Sequence, residues 1–170
     1  MKRGISLLLA VLLAVLCACG SGEEERLEAA NTFLTAMLTV PNETYNAAVD
    51  AFDEDAMRAA VEELEGGLTA ERMTDAMLRG DSSMRLMMLG AMRQIAVRPT
   101  AITLDQNQGD PNLYVYDAAV LVSVNGGAEV ESTVSGRIQF SDEGLIRWLE
   151  VYSGPLTAAL NGDAAPPETP

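Results

Sequence analysis

The hydrophobic pattern changes period once, near Ile95, and that change restricts the fold more than any other feature of the chain. Before it, apolar residues recur at three- and four-residue steps. Leu27, Ala30, Leu34, Met37 and Leu38 predict an amphipathic helix from Glu23 to about Thr39, ended by Pro41, with Glu23 to Glu25 at the positive end of its dipole. Asn42 is placed to cap a second helix bearing Tyr45, Ala48, Val49 and Phe52 on its apolar stripe. Asp53 or Asp55 starts a third, with Met57, Ala60, Val61 and Leu64, closed by Gly66-Gly67. Thr69 is expected to cap a short helix through Met73, Ala76 and Met77 to Gly80, and Asp81 to Ser83 to open another that runs to about Arg93.

After Ile95 the alphabet is Val, Ile, Thr and Tyr, with turn residues between runs, the pattern of an antiparallel meander. Pro99 belongs at the start or edge of a strand, so the first strand is placed from Thr100 to Asp105. Asp105 to Pro111 is its turn. In the second strand Tyr114, Tyr116, Ala118, Val120, Val122 and Val124 share one face, which is expected to look at the core, while Val115, Asp117, Leu121 and Ser123 share the other. Asn125-Gly126 is a two-residue hairpin signal. Beyond it Val130, Val134, Ile138 and Phe140 alternate with Glu129, Glu131, Thr133, Arg137 and Gln139. Asp142-Glu143-Gly144 turns the chain into a last strand, Leu145 to Tyr152, whose Trp148 is expected to be buried by alternation. Helices first and a four-stranded meander after them predict an α+β domain with helices on one face of a curved sheet.

The N-terminus carries a second message. Lys2 and Arg3 precede an uncharged apolar run from Ile5 to Leu16, the layout of a signal peptide. A run of about a dozen residues spans roughly 18 Å as a helix, against ~30 Å of bilayer hydrocarbon, so it is a poor permanent span. Leu16-Cys17-Ala18-Cys19 resembles the lipobox of bacterial lipoproteins, with Leu16 and Ala18 in the aliphatic and small positions before Cys19. The resemblance implies cleavage after residue 18 and a diacylglycerol thioether on Cys19, with or without a third chain such as palmitate on the amine. Gly20-Ser21-Gly22 then makes a spacer between lipid and domain. The expected layout is signal peptide 1–18, lipidated cysteine and spacer 19–22, domain 23–153 and an Ala/Pro-rich acidic tail 154–170, held at the outer face of a cell membrane or envelope.

Composition excludes much chemistry. The signal takes Lys2 and Arg3, leaving nine basic residues against 25 acids, a net charge of −16. Such a surface repels nucleic acid and anionic headgroups. With Cys17 removed and Cys19 lipidated no disulfide forms, and the mature chain has neither His nor Lys. Histidine bases, Cys-His and Ser-His-Asp sets, Schiff-base lysines and the usual zinc ligand sets are therefore absent.

Element order, Ser135-Gly136-Arg137-Ile138-Gln139-Phe140, the turn Asp142-Glu143-Gly144 and Trp148 within Ile146 to Val151 together resemble the NTF2-like, or cystatin-like, extracytoplasmic domains. The likeness spans roughly Glu23 to Ser153. It implies a cone with a pocket between helices and sheet, and the helix pair at about 69–93 is the place for a lid or subdomain. Some members are isomerases, cyclases or dehydratases using Tyr, Asp and His. Here His is missing, and Asp117 lies out of phase with Tyr114 and Tyr116, so carboxylate and phenols point to opposite faces of a regular strand. Asp117 is the one acid inside an otherwise apolar strand and the only candidate base. Tyr114 and Tyr116 are the candidate ligand-binding residues, although their ordinary role is as core rings with hydroxyls at the rim.

Three clusters have simpler readings than the sites they suggest. Met73, Met77, Met84, Met87, Met88 and Met92 hold soft sulfur but no His or Cys beside it, and fit a core or apolar groove better than copper. Asp105, Asn107 and the Gly109 carbonyl resemble half a calcium loop, but Tyr116 stands where the closing Glu belongs. Asp50, Asp53, Glu54 and Asp55 read as a capping, solvated run. No metal or cofactor is expected. The function the sequence supports is a lipid-anchored, non-catalytic module binding a protein or small molecule. A pocket enzyme of the same fold and an accessory subunit of an envelope complex are the alternatives.

Overall fold

The computed structural model describes residues 22–79, 84–152 and 156. The signal peptide, Cys19, the spacer through Ser21, the helix start at Asp81 to Ser83 and the tail 154–170 lie outside the described residues apart from Leu156. The chain forms α1 (22–38), α2 (Glu43–Ala51), α3 (Glu54–Glu65), α4 (Glu71–Leu78) and α5 (Arg85–Arg93), then β1 (Ile95–Gln106), β2 (Leu113–Val124), β3 (Val130–Phe140) and β4 (Ile146–Tyr152). It is an α+β fold: helices followed by an open antiparallel sheet of order β1-β2-β3-β4.

The helix boundaries follow local chemistry. The Asn42 side chain accepts from the Tyr45 amide at 2.9 Å, and that of Asp53 from the Ala56 amide at 3.0 Å, each satisfying an orphan first-turn N–H. Gly66 ends α3 at φ +56°, in the left-handed region where glycine carries no Cβ penalty. The cap expected at Thr69 is displaced. Thr69 instead bridges in parallel to Ile146, the Ala70 amide donates to the Ile146 carbonyl at 2.8 Å, and α4 begins after Ala70 without a side-chain cap. Phe52, placed on the apolar stripe of α2, is the left-handed residue ending that helix and is 90% exposed. Leaving the helix at this point turns its ring away from the stripe.

Helices and sheet share one core. Ala30, Phe33, Leu34, Met37 and Leu38 of α1 meet Tyr114, Tyr116, Ala118, Val120 and Val122 of β2 and Val134, Ile138 and Phe140 of β3. Met73, Met77, Met84 and Met87 are buried in that core, whereas Met88 and Met92 are exposed. Val40, just after α1, pairs antiparallel with Val97 through two 2.8 Å bonds and covers part of the β1 edge.

Two bulges correct the strand assignments. β1 starts at Ile95, not Thr100, because one strand crosses Pro99: it pairs Pro99 with Val120 and Ala101 with Ala119, leaving Thr100 as the extra residue. This edge position tolerates the missing N–H, and the bulge brings Ile95 and Val97 into phase with Ile102 and Leu104. In β4 Ile146 pairs with Phe140 and Trp148 with Gln139, so Arg147 is extra. Trp148 is therefore on the outer face and 41% exposed, not buried. Unbroken alternation from Ile146 would have put the Glu150 carboxylate into the core. The bulge buries Leu149 instead and leaves Glu150 outside.

Candidate interaction surface

The inner sheet face is filled. Tyr114 and Tyr116 are fully buried, Tyr114 edge-on to Phe140 with centroids 5.7 Å apart. The Tyr116 hydroxyl donates to the Glu150 carbonyl at 3.2 Å, and the Tyr114 oxygen accepts from Gln106 Nε2 at 3.3 Å. Burial, with the Glu150 and then the Tyr152 charges behind it, pushes the Tyr116 phenol far above its ordinary value. Tyr116 crosses over Gly136, its cross-strand partner, which has no Cβ to obstruct the ring. Asp117 stands exposed on the other face between Thr103 and Ser135. Phenols and carboxylate thus do not converge.

The other sequence candidates also resolve into local structure. Asn107 Oδ1 accepts from the amides of Gly109 at 2.8 Å and Asp110 at 3.2 Å. Asp110 accepts from the Asn112 amide at 2.9 Å and from Gln139 Nε2 of β3 at 3.0 Å, so the Asn107 and Asp110 side chains serve the turn's structure. Among the described residues no three metal-ligating His, Cys, Asp or Glu side chains gather.

Among the described residues, open clefts border the helices. One of about 380 Å³ lies between the end of α1 and α3, lined by Thr39, Asn42, Glu63 and Leu64 among others. A second of about 320 Å³ sits at the sheet end by Asn46, Gln94, Ser123 and Gly126. Neither is lined by Tyr114, Tyr116 or Asp117.

The outer sheet face is different. Along β4 Trp148, Glu150 and Tyr152 point outward at two-residue steps, opposite Gln139, Arg137 and Ser135. Val115 lies on the far side of Arg137. Trp148, Tyr152 and Val115 are all exposed. The Arg137 guanidinium stands 6.0 Å from the centre of the Tyr152 ring, and the Tyr152 hydroxyl donates to the Glu150 carboxylate. That bond to a carboxylate holds the Tyr152 phenol above its ordinary value. Aromatic rings with an arginine and satisfied polar neighbours are the residue types that anchor protein contacts. Sequence reasoning missed this surface because it assigned Trp148 to the core.

It also missed Glu65, which is only 4% exposed. Its Oε2 accepts from the Thr74 hydroxyl at 2.6 Å, while Oε1 is buried with no partner. Thr69 lies close enough to favour the carboxylate, without a bond of ordinary geometry to Oε1. Burial is the largest influence and raises the carboxyl above its ordinary value against the two threonines, with Glu62 adding to the rise. The signal was present: residue 65 follows Val61 by four, on the buried stripe of α3.

Compared with protein-family models, with curated proteins and with solved structures, the chain matches none.

Proposed function

We propose that the chain is a lipid-anchored, extracytoplasmic binding module of NTF2-like build that engages a protein partner through the outer face of β3 and β4. The observation that carries the surface is the outward row of exposed Trp148, half-buried Glu150 and exposed Tyr152, with Arg137 and Val115 beside it. A lone exposed ring is ordinary; two on one edge strand, flanked by arginine and valine, make a patch that water covers poorly. A non-catalytic role is supported by the separation of the buried phenols from Asp117 and by the lack of His and Lys beyond Lys2. The anchor rests on Leu16 to Cys19 and the spacer that follows.

Two measurements test the halves separately. Cys19→Ala is expected to leave the membrane fraction or to accumulate unprocessed; equal membrane retention would remove the anchor. A photoreactive amino acid in place of Trp148 is expected to give one discrete protein adduct in intact cells, and one in place of exposed Arg72 on α4 to give none. No adduct at position 148 would remove the surface.

A further inference from the structure

Glu65 occupies a corner at which three elements meet. It is the last residue of α3, where the negative end of the helix dipole opposes its charge. Directly after it come Gly66 and Gly67, both at positive φ, and then residues 68–70, which pair with the start of β4. The Ile146 amide donates to the Leu68 carbonyl at 2.9 Å and the Ala70 amide to the Ile146 carbonyl at 2.8 Å. The carboxyl thus bonds to Thr74 of α4 and lies close to Thr69 of this short strap, one residue before the glycine pair.

We infer that Glu65 is a proton-operated latch: its neutral side chain holds residues 68–70 and α4 closed on β4, and its ionised side chain lets that corner open at Gly66 and Gly67. Closed, Oε1 has no hydrogen-bond partner, a small cost for a neutral carboxyl and a large one for an anion. Opening brings water to that oxygen. The charges around it do not relieve the anion. Glu62, one turn back on α3, is of the same sign, and from α4 only the neutral Thr74 hydroxyl bonds to it. Glu71, Arg72 and Asp75 of α4 are exposed, Asp75 being paired with Arg58 of α3 at 2.9 Å, and Arg147 beside the strap's partner on β4 is exposed as well. Among the described residues no cation pairs with Glu65.

The direction in pH follows. A carboxyl whose value is higher closed than open keeps the closed state most stable below the ordinary 4.5 and weakens it as pH rises from there to the closed-state value. Hydrogen exchange at the Ala70 and Ile146 amides, corrected for the intrinsic rate between pH 4 and 8, reads the opening directly. Protection at both is expected to fall with rising pH, about tenfold for each unit by which the closed-state value exceeds the open one. Glu65→Gln is expected to hold it at the acid level throughout, while amides in the β2–β3 pair stay unchanged in both proteins. Equal pH profiles for the two proteins would overturn the latch. So would a Glu65 carboxyl that titrates by NMR at or below 4.5 in the folded protein.

Discussion

Tyr116 in the sheet and Glu65 in the helical layer are both buried polar side chains, and they differ in what burial leaves unsatisfied. The Tyr116 hydroxyl is neutral, finds the Glu150 carbonyl at 3.2 Å, and is driven by burial further from ionising. The Glu65 carboxyl has one oxygen bonded and one bare. A neutral donor with an acceptor can be sealed into a core at little cost, whereas a buried carboxyl with one bare oxygen ties the stability of its surroundings to its own protonation. The sheet centre is thus a fixed frame, and the α3–α4 corner is where conditions act.

The strongest way to break that contrast is to disturb the frame. A Cβ on Gly136 would lie 2.6 Å from the Tyr116 oxygen and 2.7 Å from its Cε1, and would overlap the Glu150 carbonyl oxygen, which is backbone in the adjoining strand. A swing of the ring does not relieve the overlap, because the carbonyl cannot move without breaking the β3–β4 ladder in which Arg137 pairs with Glu150. Gly136→Ala is expected to cost about 3 kcal/mol or more, read from the urea midpoint. A loss below about 0.5 kcal/mol would show that the centre is plastic and the comparison misplaced.

A smaller effect sharpens the same contrast. Tyr116→Phe keeps the ring over Gly136 and removes only the hydroxyl bond, at an expected cost of about 1 kcal/mol. Because burial raises the phenol, it stays protonated from pH 5 to 9, and the cost is expected to be the same at both ends. A variant whose deficit changes across that range would mean that the sheet also carries proton linkage.

The layer order, the cap at Asn42, the start of α3 at Asp53 or Asp55, the end of α3 at Gly66 and the inward set of β2 from Tyr114 to Val122 were legible because each depends on neighbours in sequence, whereas Val124, expected on the same inner face, is exposed at the strand's end. Thr69 was misread because its segment is taken by Ile146, a partner 77 positions away in the numbering, which no local pattern reports. The bulges differ in kind. The one at Thr100 leaves a trace in the sequence, since Ile95 and Val97 are out of phase with Ile102 and Leu104. The one at Arg147 leaves a weaker trace, in a strand where either phase buries some apolar residues and only the charge of Glu150 separates them. Of the candidate sites, the opposition of Asp117 to the two tyrosines could be read from period alone. The outer aromatic row required the bulge, and Glu65 required attention to an acid at a core position.

The smallest expected effect belongs to the edge of the frame, at Trp148. It is the only tryptophan, so its fluorescence reports this position without ambiguity. If β4 ran in regular alternation from Ile146, the indole would lie under the helices, emit to the blue and resist iodide. With Arg147 as the extra residue, the ring instead faces outward beside Gln139, and its emission is expected near that of indole in water, quenched readily by iodide. Trp148→Ala is then expected to change stability by less than about 0.5 kcal/mol, since the ring lies outside the hydrophobic core and its removal opens no cavity there. Blue-shifted, protected emission together with a loss of several kcal/mol would place the ring in the core, move Glu150 to the inner face, and remove the outer aromatic row on which the proposed binding surface stands.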